Sequence, residues 1–213
     1  MFRVLLLDLD GTLVDASAPI ADAIQALARD SGLPVPDREW ARQRIGFSPE
    51  ETWRLLGAAD PPAMMRLFRT RYVVHVTRRT LVLPGVPEAL AALRGGGRRL
   101  ALATTRATAS ALDTLQAKGL AQHFEFVGGG DQVARHKPAP DVLLLALERL
   151  GCAPGEALMV GDTTADIGAA RAAGVACWSV LGGTHDEATL RAAAPDRILS
   201  AFAELPAALA RGR

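Results

Sequence analysis

Short, unbroken apolar runs that stop at a polar residue constrain the fold of this chain more than any other feature. Val4–Leu7 runs into Asp8 and Asp10, and residues 100–103 run into Thr104, Thr105 and Arg106. Residues 158–160 run into Gly161 and Asp162, with Asp166 one helical turn later. Continuous apolar character, without alternation, belongs to strands buried on both faces, as in a parallel sheet covered by helices. The intervening stretches read as helices at 88–94, 110–118, 141–150 and 167–173. Further strands are predicted at 124–127 and 175–180, with a last edge strand at Ile198-Leu199 and helices at 187–193 and 206–210. Strand–helix alternation of this kind predicts an α/β, Rossmann-like parallel sheet with helices on both faces.

Residues 15–81 break the alternation. Ile20, Ile24, Leu27 and Ala28 form an apolar stripe on a helix over 17–31, with Ser17 as its cap and Pro19 in its first turn. Trp40 belongs to a second helical piece. Ser48-Pro49-Glu50-Glu51 is a capping-box sequence that starts a third, and Asp60-Pro61-Pro62 starts a fourth. The β-branched stretch Tyr72-Val73-Val74-His75-Val76 suits a strand or a continued helix, and we read it as helix. The chain is thus divided into a core of residues 1–14 and 82–213 and a helical insertion of residues 15–81.

The composition removes several classes of function. A net charge of +1 over 213 residues supplies no field for nucleic acid or anionic lipid, and 5% aromatic residues leave little for base stacking. Cys152 and Cys177 are too few for a disulfide framework or a thiolate metal site. No stretch reaches the ~18 apolar residues of a membrane span, and nothing resembles a signal peptide. A cytoplasmic protein with neither nucleic-acid nor membrane partners is expected. Lysine occurs only at Lys118 and Lys137 among many arginines.

The polar residues at the strand ends form a coherent chemical set. In open α/β sheets, ligands bind beyond the carboxyl ends of the strands. Asp8, Asp162 and Asp166 gathered there would repel one another unless a divalent cation lay among them, and Mg²⁺ prefers carboxylates, water and phosphate oxygens. A carboxylate can attack phosphorus, and a second carboxyl two residues on can move protons. A threonine and a lysine can hold the remaining phosphoryl oxygens. Taken singly, each residue has an ordinary structural explanation: Asp-Gly turns leave strands, acids favour helix N-termini, and a loop lysine is solvated. The functional reading rests on their occurring together and in order.

Asp8-Leu9-Asp10-Gly11-Thr12-Leu13-Val14-Asp15 resembles the first motif of the haloacid dehalogenase superfamily of phosphotransferases. Thr104 resembles its second motif, Lys137 its third, and Asp162 with Asp166 its fourth. The resemblance spans essentially the whole chain. It implies that the strands ending at Asp162, Asp8 and Thr104 lie side by side around one Mg²⁺. It implies Asp8 as nucleophile and Asp10 as general acid/base. Thr104 and Lys137, with Gly11 and Thr105 nearby, would contact the phosphoryl group. The metal would be held by Asp8, the Asp10 backbone carbonyl and Asp162, with Asp166 either a direct ligand or one acting through water.

Asp10 separates the chain from true dehalogenases, which lack it, and from P-type ATPases, which carry Thr there. The helical insertion and four short matches place it beside phosphoglycolate phosphatases. Those matches are Leu13-Val14-Asp15, Leu83-Pro84-Gly85-Val86, Gly129-Gly130-Asp131 and Val160-Gly161-Asp162-Thr163. Ala16 and Thr105 depart from that branch, where Ser and Asn are common. The expected substrate is a small phosphorylated metabolite, 2-phosphoglycolate foremost, acted on by a monomer or homodimer. Gly46 and Phe47 of the insertion are candidate substrate contacts, and Arg106, Arg42 or Arg44 is the candidate partner for a substrate carboxylate. A pyrophosphatase, a sugar-phosphate phosphatase or mutase, and an idle binding module are the alternatives.

Overall fold

The computed structural model describes residues 2–45 and 48–211; the expected substrate contacts Gly46 and Phe47 lie outside the described residues. The core elements are β1 (Val4–Leu7), α5 (Val86–Gly95), β4 (Arg99–Ala103), α6 (Thr108–Ala117), β5 (Phe126–Gly128), α7 (Asp141–Leu150), β6 (Ala157–Gly161), α8 (Thr164–Ala173), β7 (Ala176–Val180), α9 (Glu187–Ala192), β8 (Arg197–Leu199) and α10 (Leu205–Arg211). Six strands make one parallel sheet in the order β5-β4-β1-β6-β7-β8.

The sheet is buried on both sides because its strands carry apolar residues at consecutive positions, which the pleat sends to opposite faces. Leu5 and Leu7 of β1 pack with α5, α6 and α10, whereas Val4 and Leu6 pack with α7 and α8. All four are at most 1% exposed. Register then fixes the site. Leu7 pairs with Leu102 of β4 on one side and with Val160 of β6 on the other. The residues that follow these strands therefore emerge together at one edge of the sheet, Asp8 flanked by Thr104 and Asp162.

The insertion consists of α1 (Ser17–Asp30), α2 (Arg38–Arg42), α3 (Pro49–Leu55) and α4 (Pro61–Arg79). Residues 72–76 continue α4. These helices share their own cluster, which includes Ala21, Leu27, Trp53 and Met64. Three details differ from the sequence reading. Val14–Asp15 (β2) and Leu81–Val82 (β3) pair antiparallel and tie the two ends of the insertion together. Ser48 stands at the N-cap of α3 without making a side-chain cap bond, and Asp15 rather than Ser17 serves the start of α1, accepting from the Ser17 N–H. No helix among the described residues is long and apolar enough to cross a membrane.

Candidate active site

Three carboxylates and one ammonium, all buried, form the centre of the site. Asp8 is 2% exposed, Lys137 1%, and Asp162 and Asp166 0%. Lys137 uses all three of its donors: Nζ donates to Asp8 Oδ1 (2.8 Å), Asp166 Oδ1 (2.5 Å) and the Ala103 carbonyl (3.1 Å). It thus bridges the ends of β1 and β4 and the first turn of α8. A buried cation held this tightly keeps its proton, and its two acidic neighbours push its pKa above the usual lysine range against the opposing effect of burial.

The three carboxylates differ in what they have left to offer. Both Asp166 oxygens are engaged, Oδ1 by Lys137 and Oδ2 by the Thr163 N–H (3.0 Å) and hydroxyl (2.6 Å), in the capping box that starts α8. Asp162 accepts from the Thr12 hydroxyl (3.0 Å) and from the Thr184 N–H (2.6 Å). Asp8 Oδ2 is buried and accepts from no group among the described residues. Burial is costly for an unpaired carboxylate oxygen, so this atom is the clearest vacancy for a cation or an electrophile.

The residues fit a divalent metal. One ligand atom from each of Asp8, Asp162 and Asp166 lies within 4.8 Å of the others. Burial, opposed by Lys137 and reinforced by Asp166, pushes the Asp8 carboxyl up from 3.8 to about 7. Burial, reinforced by Asp8 and Asp166, pushes Asp162 up from 3.8 to about 8. The folded chain therefore retains protons that an unfolded chain releases near pH ~4. The stability tied to these two groups is complete below their unfolded pKa and is lost as the pH rises through about 7 and 8. A divalent cation should remove this penalty. The gain in Tm on replacing chelator by Mg²⁺ is expected to grow from pH ~5.5 to pH ~8.5; a gain that shrinks over that range would contradict the site.

Close packing around Asp162 explains two glycines. Gly11 has φ +82°, and a Cβ there would lie 2.1 Å from Asp162 Oδ2. A Cβ on Gly183 would lie 2.2 Å from the same oxygen. Gly183 and Thr184, after β7, escaped the sequence reading. The signal available was the Gly182-Gly183-Thr184 run directly beyond a predicted strand.

Asp10 and Arg106 form a second group. Arg106 Nε donates to Asp10 Oδ2 (3.0 Å) and Nη2 to Oδ1, so the guanidinium grips the carboxylate with two parallel bonds. Its remaining nitrogen, Nη1, donates to the Thr114 hydroxyl (2.8 Å). In this structure Arg106 is therefore held on Asp10 and Thr114 by three of its five N–H donors, and it lines the cavity described next. Thr104 is 1% exposed, and its hydroxyl accepts from the Arg106 N–H (3.2 Å). Thr105, Arg106, Arg44 and His136 line a cavity of about 350 Å³ that lies between the insertion and the core and reaches Asp10. Arg42 lines a smaller recess on the other side of Asp10, of about 50 Å³.

The arrangement can bind a phosphate, hold a cation, attack phosphorus and transfer a proton. A family model described as haloacid dehalogenase-like hydrolase matches residues 5–180. The chain is 39% identical over 212 residues to a relative from Dickeya dadantii named probable phosphatase IndB, covering 96% of this chain and 92% of that protein. It is 36% identical to the phosphoglycolate phosphatase of Chromobacterium violaceum, covering 93% of this chain and 92% of that one. The crystal structure of a haloacid dehalogenase-like hydrolase from Bacteroides fragilis superposes with a TM-score of 0.91 at 29% identity, over 96% of this chain and all of that one.

Proposed function

This chain belongs to the haloacid dehalogenase-like hydrolases and is a phosphatase, and we propose that it hydrolyses small phosphomonoesters with Mg²⁺ through an aspartyl phosphate on Asp8. The observation that carries this reading is Asp8 itself, a buried carboxylate with one oxygen on Lys137 and the other without a partner among the described residues. Asp8 Oδ2 attacks phosphorus while Thr104, and Lys137 by exchanging its bond to the Ala103 carbonyl, hold the non-bridging oxygens. Asp10 then protonates the leaving alcohol and later takes a proton from the attacking water. For this it exchanges one of its bonds to Arg106 for the leaving oxygen.

Asp8, the Asp10 carbonyl and Asp162 would hold the cation, whose chemistry is to offset the charge that gathers on the phosphoryl oxygens. Asp166, with both oxygens occupied, acts behind them by fixing Lys137. Helices α1–α4 serve as the cap that covers the site and excludes water. A cytoplasmic enzyme fits the absence of a membrane-spanning helix among the described residues.

The relatives' names make 2-phosphoglycolate the first substrate to assay, beside pyrophosphate and a sugar monophosphate. Release of free phosphate that stops in chelator is the expected result. Isomerisation without free phosphate would indicate a mutase, and no turnover of any compound would indicate a binding module. The metal assignment makes its own prediction. Asp162→Asn should weaken Mg²⁺ binding at least ~10-fold, whereas Asp10→Asn should change it little, because the Asp10 side chain lies on Arg106 and only its carbonyl would face the ion. Mg²⁺ titration of the two variants checks the order, and the reverse order would overturn it.

A further inference from the structure

The cavity beside Asp10 is shaped for a leaving group unlike glycolate. It lies between α1, α3 and α4 on one side and, on the other, the start of α6 with the loop around His136. Its volume, about 350 Å³, is that of a site for a ring-sized ligand. At ~30 Å³ per water it would hold on the order of ten waters, far more than a two-carbon acid displaces. On the cap side, half-buried Ile20, Met65, Phe68 and Val73 present apolar surface to it, with Arg44, Glu50 and Arg69 on the same side. Leaving such a wall wet gains nothing, and covering it with a planar apolar group removes area from water on both partners.

Arg44 and His136 also line the cavity, but their Nε and Nδ1 atoms, which make no hydrogen bond among the described residues, are buried away from it. Burial pushes the His136 pKa below the usual imidazole range, favouring the neutral ring. The cavity begins at Asp10, the group that would protonate the leaving oxygen. An alcohol attached to a phosphoryl group on Asp8 thus extends past Asp10 into the apolar chamber.

We infer that the alcohol this site is built to release carries a ring with an apolar face, and that such esters are preferred to 2-phosphoglycolate. The inference rests on the phosphatase reading above and deepens it. The reaction balances as hydrolysis. Asp8 bonds to phosphorus as the ester P–O bond breaks, and the alcohol leaves with a proton from Asp10. Water then breaks the acyl–phosphate link to release inorganic phosphate and restore Asp8.

The test compares kcat/KM for ethyl, 2-phenylethyl and 2-(4-pyridyl)ethyl phosphates, which share a primary alkyl leaving oxygen, together with 2-phosphoglycolate. One extra methylene in an apolar pocket is worth on the order of tenfold or more. The phenyl ester should therefore exceed the ethyl ester by about a hundredfold. Both aryl esters should exceed 2-phosphoglycolate. Val73→Trp, which fills the cavity from α4, should lower the phenyl-to-ethyl ratio at least ~10-fold. A wild-type ratio within about threefold of unity, or faster turnover of 2-phosphoglycolate, would overturn the inference and leave the phosphatase reading standing. Phosphate release from none of the four would overturn both.

Discussion

Replacing Lys137 by Met is expected to lower stability by about 3–5 kcal/mol, the usual cost of removing one partner from a buried ion pair. In a chain of this size that corresponds to a fall in Tm of about 6–20 °C. The cause is the cluster that Lys137 neutralises. Its ammonium bonds Asp8 and Asp166, and a third carboxylate, Asp162, lies within reach of both. Methionine fills the channel but leaves the carboxylates without a cation. The loss should be smaller at pH ~5 than at pH ~8, because Asp8 and Asp162 retain protons up to about 7 and 8 respectively. Saturating Mg²⁺ should restore part of it at the higher pH. Turnover should fall by a further ~10²–10³-fold even where the protein is folded, since a donor to the phosphoryl oxygens is gone. Thermal melts at the two pH values, with Mg²⁺ and with chelator, check the pattern. A loss independent of pH and metal would mean that Lys137 is only a packing element.

The strand ends that carry the candidate site were legible in the sequence because one physical signal marks both fold and site. A strand buried on both faces must be apolar throughout, so the first polar residue shows where it leaves the sheet. Asp8, Thr104 and Asp162 are such residues, and parallel register brings them together. Lys137 stood out as one of only two lysines, but nothing in a loop before a proline says that its side chain is fully buried. The grip of Arg106 on Asp10 spans 96 positions and exists only because β4 lies beside β1. Sequence alone leaves that arginine available to a substrate. The apolar chamber was hidden for a different reason. Ile20, Met65, Phe68 and Val73 read as core residues in pattern, like the neighbouring Leu27, which is fully buried in the insertion. Whether an apolar stripe meets another helix or an empty space depends on how four short helices converge. The β2–β3 ribbon escaped notice because two residues per strand carry no periodicity.

Asp8→Asn should abolish phosphate release and at the same time stabilise the metal-free protein. The activity loss is expected at about 10⁴–10⁶-fold, the scale on which removing a nucleophile acts. Asparagine is nearly isosteric, and its Oδ1 can still accept from Lys137, which keeps its bonds to Asp166 and Ala103. What disappears is a charge that burial and Asp166 make unfavourable. Near pH ~8, in chelator, the variant should therefore melt above wild type, and with saturating Mg²⁺ that advantage should shrink or reverse because one ligand is weakened. Phosphate release on a matched panel and melts in the two conditions measure both effects. Equal turnover would sink the aspartyl-phosphate mechanism. A lower metal-free Tm would show that Asp8 serves mainly as the partner of Lys137. Opposite signs for activity and stability are what a chain shows when it keeps a buried charge for chemistry at a cost to its fold.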